Sequence, residues 1–100
     1  MLAEVQTARY CVDPTHPALP GHFPGDPIVP AALLLRFVAQ TLERAGRPLT
    51  GIERMKFLRP VRPGEFIDVT VAPVDSRHGT VAMAIAGEPV ARGVWHCSPD

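Results

Sequence analysis

The hydrophobic pattern of this chain changes period twice, and each change marks an element. Residues 5–12 carry the branched and aromatic side chains Val5, Tyr10 and Val12, which predicts a first strand. Residues 14–30 hold prolines at 14, 17, 20, 24, 27 and 30, with Gly21 and Gly25 and the apolar Phe23, Ile28 and Val29 among them. That stretch is too short and too apolar for a disordered linker and reads as a rigid ordered loop. Residues 30–45 then read as one helix. Pro30 suits the first helical position, where its missing N–H would be unpaired in any case. Gly46 suits a left-handed stop, Pro48 cannot continue the helix, and Arg44 and Arg47 lie near the negative end of the helix dipole. Ala32, Leu33, Leu34, Leu35, Phe37, Val38 and Leu42 spread apolar groups round most of the circumference, so burial on nearly every side is expected. The polar exceptions, Arg36, Gln40, Glu43 and Arg47, recur at spacings of four, three and four and share one stripe.

After Gly51 the period drops to two. Residues 52–58 read as a strand, and in residues 66–74 Ile67, Val69 and Val71 alternate with Asp68 and Thr70. Residues 75–79 are a turn. In residues 80–86, Val81, Met83 and Ile85 alternate with three alanines, whose small size would let a helix approach. Gly87-Glu88 reads as a two-residue hairpin turn, and residues 90–97 as the last strand. Strand, long loop, one buried helix and four strands in hairpin succession is an α+β layout, expected as a single domain over residues 1–100. The helix is too apolar for one open sheet to cover. The sheet is therefore expected to wrap around it, and a second subunit to cover what remains, because a chain of 100 residues has a high surface-to-volume ratio.

Charge removes several function classes. Lysine plus arginine and aspartate plus glutamate both number 10, and this neutrality argues against a nucleic-acid binder. No stretch is apolar for long enough to span a membrane, since residues 28–38 are interrupted by Pro30 and Arg36, and residues 1–10 lack the blocks of a signal peptide. A cytoplasmic location is expected. Cys11 and Cys97 are too few and too far apart for a metal site, and in a reducing compartment they read as small buried hydrophobes. Trp95 and Phe66 read as core, and His16, His78 and His96 as ordinary polar residues.

Residues 21–40, Gly-His-Phe-Pro-Gly-Asp-Pro-Ile-Val-Pro-Ala-Ala-Leu-Leu-Leu-Arg-Phe-Val-Ala-Gln, are more specific. They resemble the active-site loop and central helix of the bacterial 3-hydroxyacyl-(acyl-carrier-protein) dehydratases, with His22, Phe23, Pro24, Gly25, Pro27, Pro30 and Gln40 in register. Residues 56–64, Lys-Phe-Leu-Arg-Pro-Val-Arg-Pro-Gly, resemble the same family's strand and Pro-Gly turn. The resemblance implies a hot-dog fold, an antiparallel sheet wrapped around one central helix, that dimerises so an acyl chain lies at the interface. It implies a histidine from one subunit as base for the proton beside the thioester carbonyl, and a carboxylic acid from the partner's helix to donate to the departing 3-hydroxyl. An amide at a helix start would polarise the carbonyl. The chemistry suits these groups: histidine titrates near neutrality, a buried carboxyl can stay protonated, and a helix N-terminus stabilises developing negative charge.

Carried onto this chain, His22 is the base, and Phe23, Gly25, Ala31 and Gln40 are substrate-binding positions. Ala31 stands where the family has a glycine, so its methyl group would crowd the thioester. Arg36 stands where the family has its catalytic carboxylate, and arginine cannot exchange a proton as that acid does, although it can bind an oxyanion. Asp26 orders the loop. Arg54, Lys56, Arg59 and Arg62 form a local basic cluster, a solvated strand face or a dock for an acidic carrier protein and its phosphopantetheine. No metal or cofactor of the protein's own is implied. Three readings follow: a dehydratase-type subunit in fatty-acid, polyketide or polyene synthesis, as homodimer or as heterodimer with a related hot-dog subunit; a non-catalytic subunit binding acyl groups or carrier protein; and a hot-dog thioesterase, since fold alone does not choose the chemistry.

Overall fold

The computed structural model describes residues 5–16 and 28–97. They form strand β1 (Gln6–Cys11), helix α1 (Ala31–Arg44), and strands β2 (Leu49–Phe57), β3 (Phe66–Pro73), β4 (His78–Ile85) and β5 (Glu88–Cys97). The strands make one sheet in the order β1-β3-β4-β5-β2, with every neighbouring pair antiparallel. The helix lies across one face of that sheet, the hot-dog arrangement. β1 and β2, which flank the helix in sequence, become the two edges.

Alternation decides which face is which. Ile67, Val69 and Val71 on β3, Val81 and Met83 on β4, and Val90, Ala91 and Trp95 on β5 are buried with Leu34, Val38 and Leu42 of α1. The alanines of β4 do not let the helix approach. Ala82 is exposed and Ala84 half-buried on the opposite face, because the bulky residues take the period-two positions under the helix. The helix is also less enclosed than its composition predicts. Leu34, Val38, Thr41 and Leu42 form its buried stripe, while Ala32, Arg36, Gln40 and Glu43 are exposed in the single chain.

On the β1 side the helix is sealed. The Tyr10 ring stacks on Phe37 with centroids 4.4 Å apart, and the Arg44 guanidinium lies over the same Tyr10 ring. Thr41, the one buried polar residue among the described residues, donates its hydroxyl to the Phe37 carbonyl at 2.8 Å. Its oxygen is then left to accept from the Tyr10 hydroxyl, also at 2.8 Å. The helix end is a Schellman motif: Gly46, at φ +73°, donates to the Glu43 carbonyl and Arg47 to the Leu42 carbonyl. Pro30 sits one residue earlier than expected, as N-cap rather than first helical residue, with an extended ψ of 145°.

One tight turn and one bulge depart from the sequence reading. The β4–β5 turn is Ala86-Gly87, with φ of 51° and 81°, and not Gly87-Glu88; Ile85 pairs with Glu88 across it. Positive φ at both central residues is the mirror-type hairpin turn that matches strand twist, and Ala86 bears the strain. On β2, two residues, Arg54 and Met55, stand against Gly93 between the pairs Glu53–Val94 and Lys56–Arg92, a bulge with Arg54 at φ 54°. Two core assignments are corrected. Phe66 is 59% exposed under the Arg9 guanidinium, 6.0 Å from its centroid. Cys11 is exposed and only Cys97 is buried, both as free thiols; β1 is an edge strand and Cys11 falls on its outward face.

Trp95 is fully buried, its Nε1 donating to the Thr80 carbonyl at 2.8 Å. It stands opposite Gly79, where an added Cβ would meet the indole ring and the Ala72 carbonyl. Gly79→Ala is therefore expected to cost about 1–3 kcal/mol in urea unfolding. Gly51→Ala, with no atom within 4 Å of the new carbon, should stay within about 0.5 kcal/mol of the parent.

Candidate functional site

A cleft of about 400 Å³ opens at the N-terminus of α1. Among the described residues, Ile28, Val29 and Leu34 form its helix side, and Phe57, Leu58 and Val61 face them from the end of β2 and the following loop. Phe57 and Leu58 are 42% and 44% exposed, so a mostly apolar cleft has an apolar rim. Ala31 lines it as well. The Ala31 N–H, like that of Ala32, is one of the helix donors with no acceptor inside the helix; the first carbonyl bonded within it is that of Pro30, which accepts from Leu33 at 3.0 Å. A dipole end and donors without an intrahelical acceptor thus meet an apolar wall, an arrangement suited to a neutral chain with one oxygen to polarise.

The opposite wall is held by Arg59. Its Nε donates to Glu88 Oε1 at 3.0 Å, its Nη2 to Glu65 Oε2 at 3.2 Å and its Nη1 to the Pro60 carbonyl at 2.8 Å. Glu65 Oε1 takes the Arg62 N–H at 2.7 Å. The Arg62 amide, and then the Arg59 guanidinium, hold the Glu65 carboxyl below the usual glutamate range. The loop fixed in this way carries Val61, whose carbonyl accepts the Val29 N–H at 2.8 Å. Arg59 therefore sets the entry of the chain into α1, and with it the position of the Ala31 amide.

The residues singled out from sequence fall in different places. His22, Phe23, Gly25 and Asp26 lie outside the described residues. Ala31 and Arg59 meet at the cleft. Arg36 and Gln40 are exposed further along α1 and are not among the described residues lining the cleft. The basic cluster is divided: Arg59 is neutralised by two glutamates and Arg54 is paired with Glu53 at 3.1 Å. Lys56 stands directly opposite Arg92, and among the described residues neither has an ion pair. Like charges in register repel, so an anion placed between the two would relieve that repulsion. Sequence reading missed Arg92 because only strand register places it beside Lys56. It also missed the acids Glu65, six residues on in the same loop, and Glu88, at the start of β5.

On the outer sheet face, His78 and His96 are cross-strand partners with centroids 6.0 Å apart. His78 Nδ1 meets Asp75 at 2.9 Å and His96 Nε2 meets Glu53 at 2.8 Å. Backbone N–H groups of Arg77 and His78 hold Asp75 below the usual aspartate range, and the His96 bond does the same for Glu53. Among the described residues no group of three or more side chains is placed to hold a metal ion, and no helix is long and apolar enough to cross a membrane.

The comparison that decides kinship is the ApeI-like family, described as ApeI dehydratase, whose profile matches residues 3–94. The chain belongs to the ApeI-like dehydratase family. It is 38% identical over 78 residues to the 3-hydroxyacyl-[acyl-carrier-protein] dehydratase FabZ of Haemophilus influenzae strain PittEE, covering 67% of this chain and 53% of that protein. It is 36% identical over 91 residues to the FabZ of Acetivibrio thermocellus, 77% of this chain and 62% of that protein. The chain thus spans about half the length of the first curated relative. Among solved structures, the dehydratase heterocomplex ApeI:P from Xenorhabdus doucetiae superposes with a TM-score of 0.80 at 21% identity, covering 96% of this chain and 89% of that one. The fluoroacetyl-CoA-specific thioesterase FlK, solved as a point mutant, gives 0.71 at 16% identity, covering 96% and 84%. At these identities the structural likeness shows the hot-dog fold, in this ApeI-like chain as in a dehydratase and a thioesterase.

Glu65 offers a pH test of the cleft wall. A carboxyl depressed in the folded state stabilises above its unfolded value of about 4.3 and loses that contribution as pH falls through the folded value. The stability gap between wild type and Glu65→Gln should therefore be full at neutral pH and shrink as pH is lowered below about 4. Urea unfolding of both proteins across that range measures it.

Proposed function

We propose that this chain is a dehydratase-type subunit acting on carrier-bound 3-hydroxyacyl thioesters, and that its site is completed by a different hot-dog subunit bearing the missing carboxylate. The observation that carries this reading is the cleft itself, an apolar space ending at the start of α1 on the Ala31 amide, which has no acceptor within the helix. In the proposed reaction the thioester oxygen accepts a hydrogen bond from that amide. The His22 imidazole removes the proton beside the carbonyl, and the electron pair forms the double bond to C3. The C3 hydroxyl takes a proton from the partner's carboxylic acid and leaves as water. The neighbouring heterocomplex and the FabZ relatives support a carrier-bound substrate and a hot-dog partner for this chain.

Arg36 favours a second reading, in which the chain binds acyl groups or carrier protein without turnover. The two separate in an assay on 3-hydroxyacyl carrier-protein substrates. A missing general acid costs about 10²–10⁴-fold in rate, so the chain alone should be slower than an intact family site by that order. Arg36→Glu with Ala31→Gly should recover part of the loss, and His22→Ala should abolish what is recovered. A doubly substituted protein that folds, binds substrate and stays inactive supports the binding reading.

The carrier protein is proposed to dock beside the cleft mouth. Lys56 adjoins the cleft residue Phe57 and stands opposite Arg92, a pair without a counter-charge among the described residues, with Arg54 and Arg62 nearby in sequence. Lys56→Glu with Arg92→Glu should weaken carrier binding about tenfold or more, and the wild-type affinity should fall with salt. Titrations that do not change across a salt series would overturn the dock.

A further inference from the structure

Helix α1 and strand β2 each continue past the cleft as a row of apolar side chains. At about 100° per residue, Ala31, Leu35 and Ala39 share the flank of α1 opposite the one that Tyr10 closes through Phe37 and Thr41. Since β1 and β2 are opposite edges of the sheet, that flank is turned toward β2. On β2 the bulge at Arg54 and Met55 resets the alternation. Ile52 stands opposite the buried Trp95 and Phe57 opposite the buried Ala91. The Met55 side chain lies on Gly93, where an added Cβ would come within 2.7 Å of Met55 Sδ. Ile52, Met55 and Phe57 therefore all face the helix side, whereas strict alternation from Phe57 would turn Ile52 outward.

The two rows border one trough. Their first members, Ala31 and Phe57, line the cleft. The next pair, Leu35 and Met55, is half-buried, as are Ala39 and Ile52 beyond it. Four residues of helix advance about 6 Å and two of strand about 6.6 Å, so the rows keep pace. Beyond the rim residue Phe57, Met55 is the next β2 side chain that an apolar chain following the trough would meet. Methionine is unbranched and fills irregular gaps, and beneath this one Gly93 has no side chain of its own. From this we infer that Met55 determines the specificity of the cleft: it stops the acyl chain about one helical turn past Ala31 and restricts the substrate to short chains. The inference rests on the acyl-thioester reading above and adds which chains the site takes.

Calorimetric titration of the full chain with saturated acyl pantetheines of about 4 to about 12 carbons tests it, since each methylene buried is worth up to about fourfold in affinity. Wild type should tighten with length and then level off at a short chain. Met55→Ala should move that limit about two to three carbons longer and bind the longer chains about tenfold or more tightly than wild type, with the shortest unchanged. Met55→Leu, a volume-conserving change, should keep the wild-type limit. Met55→Phe should shorten it, and decides the matter should Met55→Ala not fold. A wild type that tightens up to the longest chain, a limit that no substitution displaces, or a gain equal at every length overturns the inference and leaves the cleft as an acyl site. Affinities that ignore chain length in wild type and all three variants overturn the acyl-thioester reading and the inference with it.

Discussion

Among the described residues a single helix of 14 residues covers one face of a five-stranded sheet, and most features of the protein answer to that constraint. The helix meets it with one buried stripe, Leu34, Val38, Thr41 and Leu42, against a sheet whose inward positions are almost all branched or bulky. Because one stripe suffices for one sheet, the apolar residues beyond it are surplus to the single chain. Tyr10 takes up the surplus on the β1 side. On the β2 side Leu35 and the alanines are left over. An apolar helix thus supplies both a core and an unfinished surface, and the unfinished surface coincides with the open strand edge.

The same constraint places the cleft. The helix is anchored along its stripe, so its first turn depends on what holds residues 28–30. That hold is the Val29 bond to Val61, and Val61 belongs to a loop fixed by Arg59 between Glu65 and Glu88. Removing one partner of a half-buried, multiply bonded guanidinium leaves the other groups unsatisfied. The loop, the helix start and the amide of Ala31 are therefore coupled. An arginine that looks from sequence like part of a basic docking surface is instead the fastener of the cleft wall.

Element type and order were legible because they rest on local pattern: period two in β3 and β4, the apolar helix, and Gly46 as its stop. What was not legible depends on pairing between distant segments. The Lys56–Arg92 pair, the glutamates around Arg59, the outward alanines of β4 and the exposure of Cys11 all follow from register or sheet order. The Ala86-Gly87 turn was displaced by one residue because glycine marks the need for positive φ, but here it stands second of the two residues that need it. At the site, the family resemblance supplied His22 and the carboxylate position, which composition and spacing alone do not single out. The readings of Arg36 as a departure and of Ala31 as a crowded amide position come from that resemblance as well. Sequence did not separate the cleft residues from the outward polar stripe, since Ala31 and Arg36 lie close together in the motif yet fall on different sides of the helix.

That separation bears on how a catalytic carboxylate can be replaced without loss of the fold. Residue 36 lies off the buried stripe, so an arginine there leaves the core untouched. Its energetic consequences fall on whatever faces it. In the proposed shared site that position belongs to the acid, and an arginine, which keeps its charge at any pH where the protein is folded, cannot donate a proton and take it back. A carboxylate set directly against that arginine would be held ionised and could not donate either. The acid proposed for the partner therefore has to act at the cleft that Arg36 does not enter.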